Sequence, residues 1–412
     1  MSNTNLTVDW IGNEALRLLH EKATFIGTIN REFDSDFKPG YGNQIRIRIP
    51  SQYVTRTGRV MDVQDGEQQS TQLVVGTQWG VDMRYNSQEM AQDLVNFQKL
   101  HLEPAMATLV SRLDGVCIST AALNTYNVAG TPGNTISTLI VPGQARARLN
   151  QYLAPNGDRR LQIESMMMAD IVNGAAAYFN PSNAISEQYR EGLVARTAMA
   201  DYYENQRVPG LTNTNQTSTW ISSQAITNGT ASFLISTTGT LIAPAIGSLF
   251  TIGFASSVTG GFRACHPETK QPYAHLQTFV VTAASVLTST ISFQPPIYLS
   301  GARQNVVRSD GAELSGTLNN NSTAILRVVG AATSTYPTPL MYHRDAYTFA
   351  TAALPLMADA ARCVVKTYDG ISLRVWEGSD IRNDEKLTRI DVLWGFAAVR
   401  PQLGCRLIGI NL

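Results

Sequence analysis

The sequence predicts an α+β chain built around one long helix, with a projecting hairpin before the helix and an inserted β domain after it. Three observations carry this reading. After Pro104, residues Met106, Leu109, Val110, Leu113, Val116 and Cys117 recur at helical spacing. Upstream, QIRIRIP alternates Ile45, Ile47 and Ile49 with Arg46 and Arg48, the period of a strand with one wet face. From Leu211 to Phe262 there is no Asp, Glu, Lys or Arg, and Thr, Ser, Asn, Gly and β-branched residues dominate. That composition suits short strands with hydroxyl-bearing faces and lacks the ion pairs of exposed helices.

Composition narrows the class further. A chain of 412 residues with 43% apolar and 16% charged residues has material for two or three cores. Its 32 basic and 32 acidic residues cancel. This argues against a protein whose work is to grip nucleic-acid backbone, which calls for a basic excess. Cys117, Cys265, Cys363 and Cys405 are scattered with no C-x-x-C pair, which reads as buried thiols in a reducing compartment. No uninterrupted apolar run of about eighteen residues occurs. The opening MSNTNLTVDW has neither the basic nor the apolar part of a secretory signal. A soluble protein used in a cytoplasm is expected, with no membrane partner.

Taken in order, Thr7 to His20 carries Val8, Ile11, Ala15, Leu18 and Leu19 at helical spacing, a short helix that needs a surface to lie on. Gln44 to Met83 reads as a long hairpin, with Gly58, Asp65 and Gly66 at its tip and Leu73, Val75 and Trp79 on the return strand. Between Pro50 and Ser70 there is too little apolar content for a core, so this hairpin should project and need a partner. Asn86 with Glu89 resembles a capping box, and Pro104 marks the main helix, expected to run past Ala121. Val128 to Ser137 reads as a loop, and Val141 to Leu153 as a short helix stopped by the Pro155-Asn156-Gly157 turn. Further helices are expected around Phe179-Asn180-Pro181 and over Tyr189 to Met199. The inserted domain, a small barrel or sandwich, spans Leu211 to about Thr323, and mixed α/β pattern resumes from Ala324.

Chemical motifs are sparse. There is no Walker loop, G-x-G-x-x-G, H-E-x-x-H or G-x-S-x-G in a usable context, so no catalytic residue, cofactor or metal is assigned. Cys265-His266 with His275 could suggest a metal, but the spacing is loose for zinc, and a hairpin bearing a thiol and two surface imidazoles accounts for it. Met166, Met167 and Met168 read as packing residues of a buried element. The mixed charges of SDIRNDEKLTR, Ser379 to Arg389, read as a solvated hairpin turn better than as an acid/base pair.

The C-terminal segments are specific. Tyr342-His343-Arg344-Asp345-Ala346-Tyr347, and Arg389-Ile390-Asp391-Val392-Leu393-Trp394-Gly395 leading to Arg400-Pro401 and a last strand, resemble the closing portion of major capsid proteins of tailed bacteriophages, most narrowly the coat proteins of the short-tailed Salmonella phage type. Trp394 replaces the family's usual Tyr. Phe250 to Val306 is similar to that family's inserted β domain, with SSVTGG widening it, and the helix from Pro104 stands where the family places its backbone helix.

The resemblance implies the Hong Kong 97-type capsid fold and a structural, non-enzymatic protein of an icosahedral head enclosing double-stranded DNA. It implies an N-terminal arm at 1–40, an E-loop hairpin at 41–85, a peripheral domain with the spine helix at 86–140, and the first part of the axial domain at 141–210. The inserted β domain then takes 211–323, and the closing axial and peripheral parts take 324–412. A helix is expected to open at Tyr342. The implied partners are further copies in hexamers and pentamers, a separate scaffolding protein, a portal protein, a decoration protein where a phage has one, and DNA contacted non-specifically. No coiled-coil segment that would act as a built-in scaffold precedes the arm. Arg56 and Arg59 are expected to meet neighbouring subunits from the E-loop, and Asp9 and Glu14 to meet scaffold from the arm. The implied location is the virion, assembled in the host cytoplasm. Two other readings are a bacterial nanocompartment shell protein, which should be shorter and lack the inserted domain, and a β-rich hydrolase, for which no catalytic set is found. A surface adhesin would account for the Ser/Thr-rich region but would want a secretion signal.

Overall fold

Helical periodicity is realised first at the N-terminus. In a computed structural model of the chain, α1 (Val8–Lys22) buries Ile11, Ala15, Leu16, Leu18 and Leu19 on one side, the stripe expected from the spacing. The structure describes residues 8–33, 37, 42–61, 63–64, 66, 68–86, 101–134, 136–175, 200–213, 220–222, 226–237, 244–254, 261–285, 290–308, 324–331, 333–357, 362–368, 371–380 and 382–409. The proposed cap at Glu89, the helices expected around Phe179 and over Tyr189 to Met199, and most of the SSVTGG insertion lie outside these residues. The chain forms two units. One comprises Met1–Ile47, Ser70–Ile118 and Tyr347–Val399, and the other Arg48–Gln69, Ser119–Ala346 and Arg400–Leu412.

The first unit is organised by a sheet of β19 (Tyr347–Ala352), β22 (Glu385–Ala398), β21 (Ile371–Asp380) and β20 (Arg362–Tyr368), with β3 (Thr77–Asn86) also pairing with β22. The β21–β22 connection is the expected turn: Asp380 accepts the backbone N–H of Arg382 (2.9 Å) and the Asn383 amide (2.8 Å). The surface that α1 needs is supplied by β20 and β21. A side chain at Gly12 would press on Lys366 at 3.1 Å and on Val375 at 3.7 Å, so the helix lies close to the sheet.

The expected hairpin takes a different form. β1 (Gln44–Ile49) does pair with β2 (Gln69–Val74), but the return segment breaks after Val75. Its second part is β3, whose ten-residue ladder with β22 runs from Asn86–Glu385 to Thr77–Trp394. Trp79 therefore belongs to the large sheet, edge-on to Trp394 at 4.9 Å, and not to the projecting element. Gly395 is required at this junction, because a Cβ there would strike the Val74 carbonyl oxygen. Among the described residues of 50–68 there is no strand.

The long helix α2 (Glu103–Asn124) begins at the residue before Pro104 and extends past Ala121, as expected. Met106, Leu109, Val110, Leu113 and Cys117 are buried, while Val116 is 38% exposed. At about 100° per residue Val116 falls just beyond Leu109 at the edge of the stripe. Asp114, Ile118, Ala121 and Ala122 widen the buried side instead. Among the described residues this is the one helix long and apolar enough to cross a membrane, and its buried Asp114 and apolar stripe give it a core role.

The second unit holds a five-stranded sheet ordered β4 (Val128–Ala129), β23 (Gly404–Leu407), β18 (Leu340–His343), β5 (Arg159–Ile163), β6 (Asp201–Glu204). Beside it runs α3 (Ile140–Gln151), and α4 (Ser165–Ala175), which follows β5 in the chain, has Met167 and Met168 buried and Met166 exposed. The Val128 to Ser137 segment thus starts as a short strand parallel to β23. A closed barrel follows, ordered β10 (Leu249–Phe254), β13 (Thr278–Ser285), β14 (Thr290–Ile297), β9 (Thr230–Thr237), β8 (Trp220–Ser222), β16 (Ala324–Val328). Phe233, Phe250, Phe279 and Phe293 fill it, with ring centroids 4.8 to 6.4 Å apart. Closure removes the unpaired edges that a small sheet would present. The barrel takes in one strand beyond the expected boundary at Thr323.

Two further expectations are corrected. Tyr342 to Tyr347 opens no α-helix: β18 passes through a single 3-10 turn, Arg344–Ala346, into β19, whose backbone is taken up by pairing with Ala398 to Leu393 of β22. After Val328 the described residues contain strands and 3-10 turns but no α-helix, so the closing part is β rather than mixed.

One buried charge fixes the start of the chain to α2. Asp114 is fully buried, and its Oδ1 accepts the backbone N–H groups of Phe25 and Ile26, both at 2.9 Å, while Oδ2 accepts the Thr24 hydroxyl at 3.1 Å. Removing the carboxylate would leave two N–H groups buried without an acceptor. Asp114→Ala should lower stability by about 2–4 kcal/mol and Asp114→Asn, which keeps one oxygen acceptor, by about 1 kcal/mol. Urea-unfolding midpoints of the two variants check the ordering.

Candidate assembly surfaces

Residues 50–68 are the most exposed stretch of the described chain. Tyr53 is 61% exposed, Val60 84%, Met61 76% and Val63 74%. These apolar side chains qualify the polar character read from the sequence, where VMDV at 60–63 was the available signal. The loop is shaped by its own polar groups. The Gln64 carboxamide bonds both sides of the Val54 peptide, accepting its N–H at 2.8 Å and donating to its C=O at 2.6 Å. Arg56 curls back to donate to the carbonyls of Gly58 and Val60, the latter at 2.8 Å. Gly58 turns the tip with φ +95°, a conformation that side chains other than glycine resist. Arg59 is exposed at that tip. Of the two expected contact arginines, one is thus used to hold the loop and the other faces outward.

On α1, Glu14 pairs with Arg17 one turn later, Nε lying 3.0 Å from both carboxylate oxygens. Such a pair contributes a few tenths of a kcal/mol to the helix. Asp9 lies in the same helix, and its side chain is outside the described residues. The loop at 50–68 belongs to one unit and the arm to the other.

The comparison that decides the family is a match between residues 39–409 and the family described as P22 coat protein, gene protein 5. The chain belongs to the P22 coat protein family. It is a capsid shell protein, a structural component of a virion. Among solved structures, one described as Mycobacterium phage Che8 is similar at 10% identity and TM-score 0.47, covering 93% of this chain and 90% of that one. The mature capsid of bacteriophage PhiM1 is similar at 9% identity and TM-score 0.43, with coverage of 90% and 84%. A virus-like particle from Pyrococcus furiosus is similar at 6% identity and TM-score 0.41, with coverage of 97% and 98%. No curated protein matches the chain.

In this coat protein the charged motif of the last long strand is structural. Asp391 is buried and receives Arg374 Nη2 at 2.7 Å and Arg389 Nε at 2.8 Å. Burial pushes its carboxyl up, and hydrogen bonds from Arg374, Arg389 and Gln78 outweigh that and hold it below the usual carboxylate range. A carboxylate so neutralised is a poor general base. Glu377 is likewise buried, with Lys386 at 2.9 Å. The arginine of the RIDVLWG motif therefore serves the aspartate two residues on.

The Cys265, His266 and His275 side chains each make local contacts. Among the described residues no cluster of three potential ligands occurs. Cys265 donates to the Gln304 carbonyl at 3.3 Å, and His266 Nδ1 accepts the backbone N–H groups of Glu268 and Thr269, each at 3.1 Å. Burial pushes the Cys265 thiol up to about 11 and the Cys405 thiol up to about 12, so both stay protonated at neutral pH. His275 stacks on Tyr273 with centroids 5.5 Å apart. Burial, assisted by the Arg148 guanidinium, lowers its pKa to about 3.

This histidine folds neutral, whereas in the unfolded chain it titrates near 6.5. Between those values the unfolded chain binds the extra proton. Its contribution is complete above about pH 6.5 and is lost as pH falls toward 3, by up to about 1.4 kcal/mol per pH unit. Melting temperature should therefore fall less steeply from pH 6.5 to 4.5 in His275→Gln than in the unaltered protein. Parallel slopes in a pH series of thermal melts would contradict this.

Proposed function

We propose that the chain assembles into hexamers and pentamers of an icosahedral head enclosing double-stranded DNA, with the Hong Kong 97-type subunit plan. In that plan 1–40 is the arm, 41–85 the E-loop, 86–140 the peripheral domain with α2 as spine, and 141–210 with 324–412 the axial and closing parts. The inserted β domain, expected at 211–323, is extended to take in β16. The observation that carries the assembly reading is the loop at 50–68. A chain segment that exposes Val60, Met61 and Val63 in sequence proximity is costly in a solitary subunit and is covered when copies overlap. A charge-neutral chain suits a shell that contains DNA without gripping it. A nanocompartment is the weaker reading, since the family match runs through the barrel and to residue 409.

Arg59 is proposed to pair with a carboxylate of a neighbouring subunit, and Arg56 to present it by holding the tip. Single exposed pairs contribute little, but a closed shell repeats them in every copy. The double change Arg56→Glu with Arg59→Glu should leave the melting temperature of the free subunit within about 2 °C of the original. It should also cut shell yield severalfold in sedimentation and electron microscopy. Normal shell yield would refute the assignment.

The arm is proposed to meet a separate scaffolding protein through Asp9 and Glu14, with portal protein, a decoration protein where present, and DNA as further partners after assembly in the host cytoplasm. A scaffold must bind, set curvature and leave, which favours exposed charges whose pull weakens with salt. The alternative role for these carboxylates is local: Asp9 lies in the first turn of α1, where negative charge is favoured by roughly 0.3–1 kcal/mol, and Glu14, farther along, pairs with Arg17. Asp9→Lys with Glu14→Lys should reduce scaffold incorporation in a salt-dependent manner while the melting temperature stays nearly constant. A lower melting temperature with normal incorporation would leave these residues a helix role only.

A further inference from the structure

We infer that the barrel positions the exposed loop at 50–68, through Arg303. The loop's internal bonds, Gln64 on Val54 and Arg56 on the tip carbonyls, set its shape but not its direction. Direction is set where the loop rejoins regular structure. There the carboxamide of Gln69, the first residue of β2, lies against the Arg303 guanidinium, and with its oxygen assigned to the side that faces the two N–H donors it accepts from Nε and Nη2, a two-point contact that constrains angle as well as distance.

Arg303 is itself held. Its guanidinium lies 5.0 Å over the Tyr298 ring, and Nη1 donates to the Tyr298 hydroxyl at 2.9 Å. Both residues sit in the connection from barrel strand β14 to β15 (Val306–Arg308). That connection is fixed from three sides. Asn305 accepts the Tyr298 N–H at 2.9 Å and donates to the Pro296 carbonyl at 2.7 Å. Asn228 accepts the N–H groups of Leu299, at 2.7 Å, and Ser300, at 3.3 Å. Lys270 places its ammonium among the carbonyls of Pro267 (2.6 Å), Ala302 (2.7 Å) and Gln304 (3.3 Å). A half-buried ammonium with three carbonyl acceptors on two loops ties the β11 (Phe262–Cys265) to β12 (Pro272–Leu276) turn to the segment carrying Arg303. The result is a rigid bracket growing from the barrel and ending in a guanidinium fork at the base of the loop. Arg303 is a positioning residue, since it acts on shell contacts only by orienting the loop that makes them.

The inference rests on the loop's assembly role for its meaning, but its test does not. Hydrogen exchange of the full-length free subunit should show peptides within residues 50–61 exchanging about tenfold faster in Arg303→Ala, with β13 and β14 amides unchanged. Gln69→Ala, which removes the other half of the contact from outside the barrel, should give the same acceleration, and the double variant no more than either alone. Unchanged exchange at 50–61 in both single variants would overturn the brace. Shell yield of the same proteins is read separately: faster exchange with normal yield keeps the brace and removes the loop from assembly.

Discussion

The backbone of one strand is the constraint on which the first unit depends. β22 spans fourteen residues and pairs with β3, β19 and β21, three strands that come from sequence positions near 80, 350 and 375. Its N–H and C=O groups have no other satisfaction once buried, so the ladder fixes register for every neighbour at once. The side chains conform to this. Asp391 can be buried only because the pairing brings Arg374 directly across from it, and Gly395 is small where β2 passes over the strand. A one-residue slip would turn Asp391 to the opposite face and set a side chain against Val74.

Much of this was legible in the residues, for reasons that differ by element. The helices α1 and α2 announced themselves because their apolar spacing is regular and Pro104 is a local signal that needs no tertiary information. The β character of the uncharged region was readable from composition. Its closure into a barrel was not, because the closing strand, Ala324–Val328, lies beyond the composition change and carries an arginine. The hairpin was misread past Val75 for a similar reason. An alternating strand looks the same whether its partner is adjacent in sequence or three hundred residues away. The motif at Tyr342–Tyr347 is recognisable as sequence, yet its local form is set by β19 pairing with β22, a non-local event that overrides any helical tendency.

The expected contact residues were legible only as exposed charges. Spacing could not show that Arg56 spends its guanidinium on its own loop or that Glu14 meets Arg17. The apolar tip residues Val60, Met61 and Val63 are as exposed as the charges, and they are the part of the surface that water favours least. Net neutrality over 412 residues thus conceals a local division of labour, with buried carboxylates such as Asp114 and Asp391 holding the subunit and exposed apolar groups left for contact.

The chain enters and leaves the barrel side by side. β7 (Gly210–Thr212) on the way in pairs with β17 (Thr335–Pro337) on the way out, and the Thr212 and Thr335 hydroxyls join at 2.7 Å. A module whose two ends meet at a closed seam can be lengthened, trimmed or exchanged with no change in the span the flanking chain must bridge. Such a seam works as a socket, in which changes can be tried in one cassette while the strands that close it stay as they were.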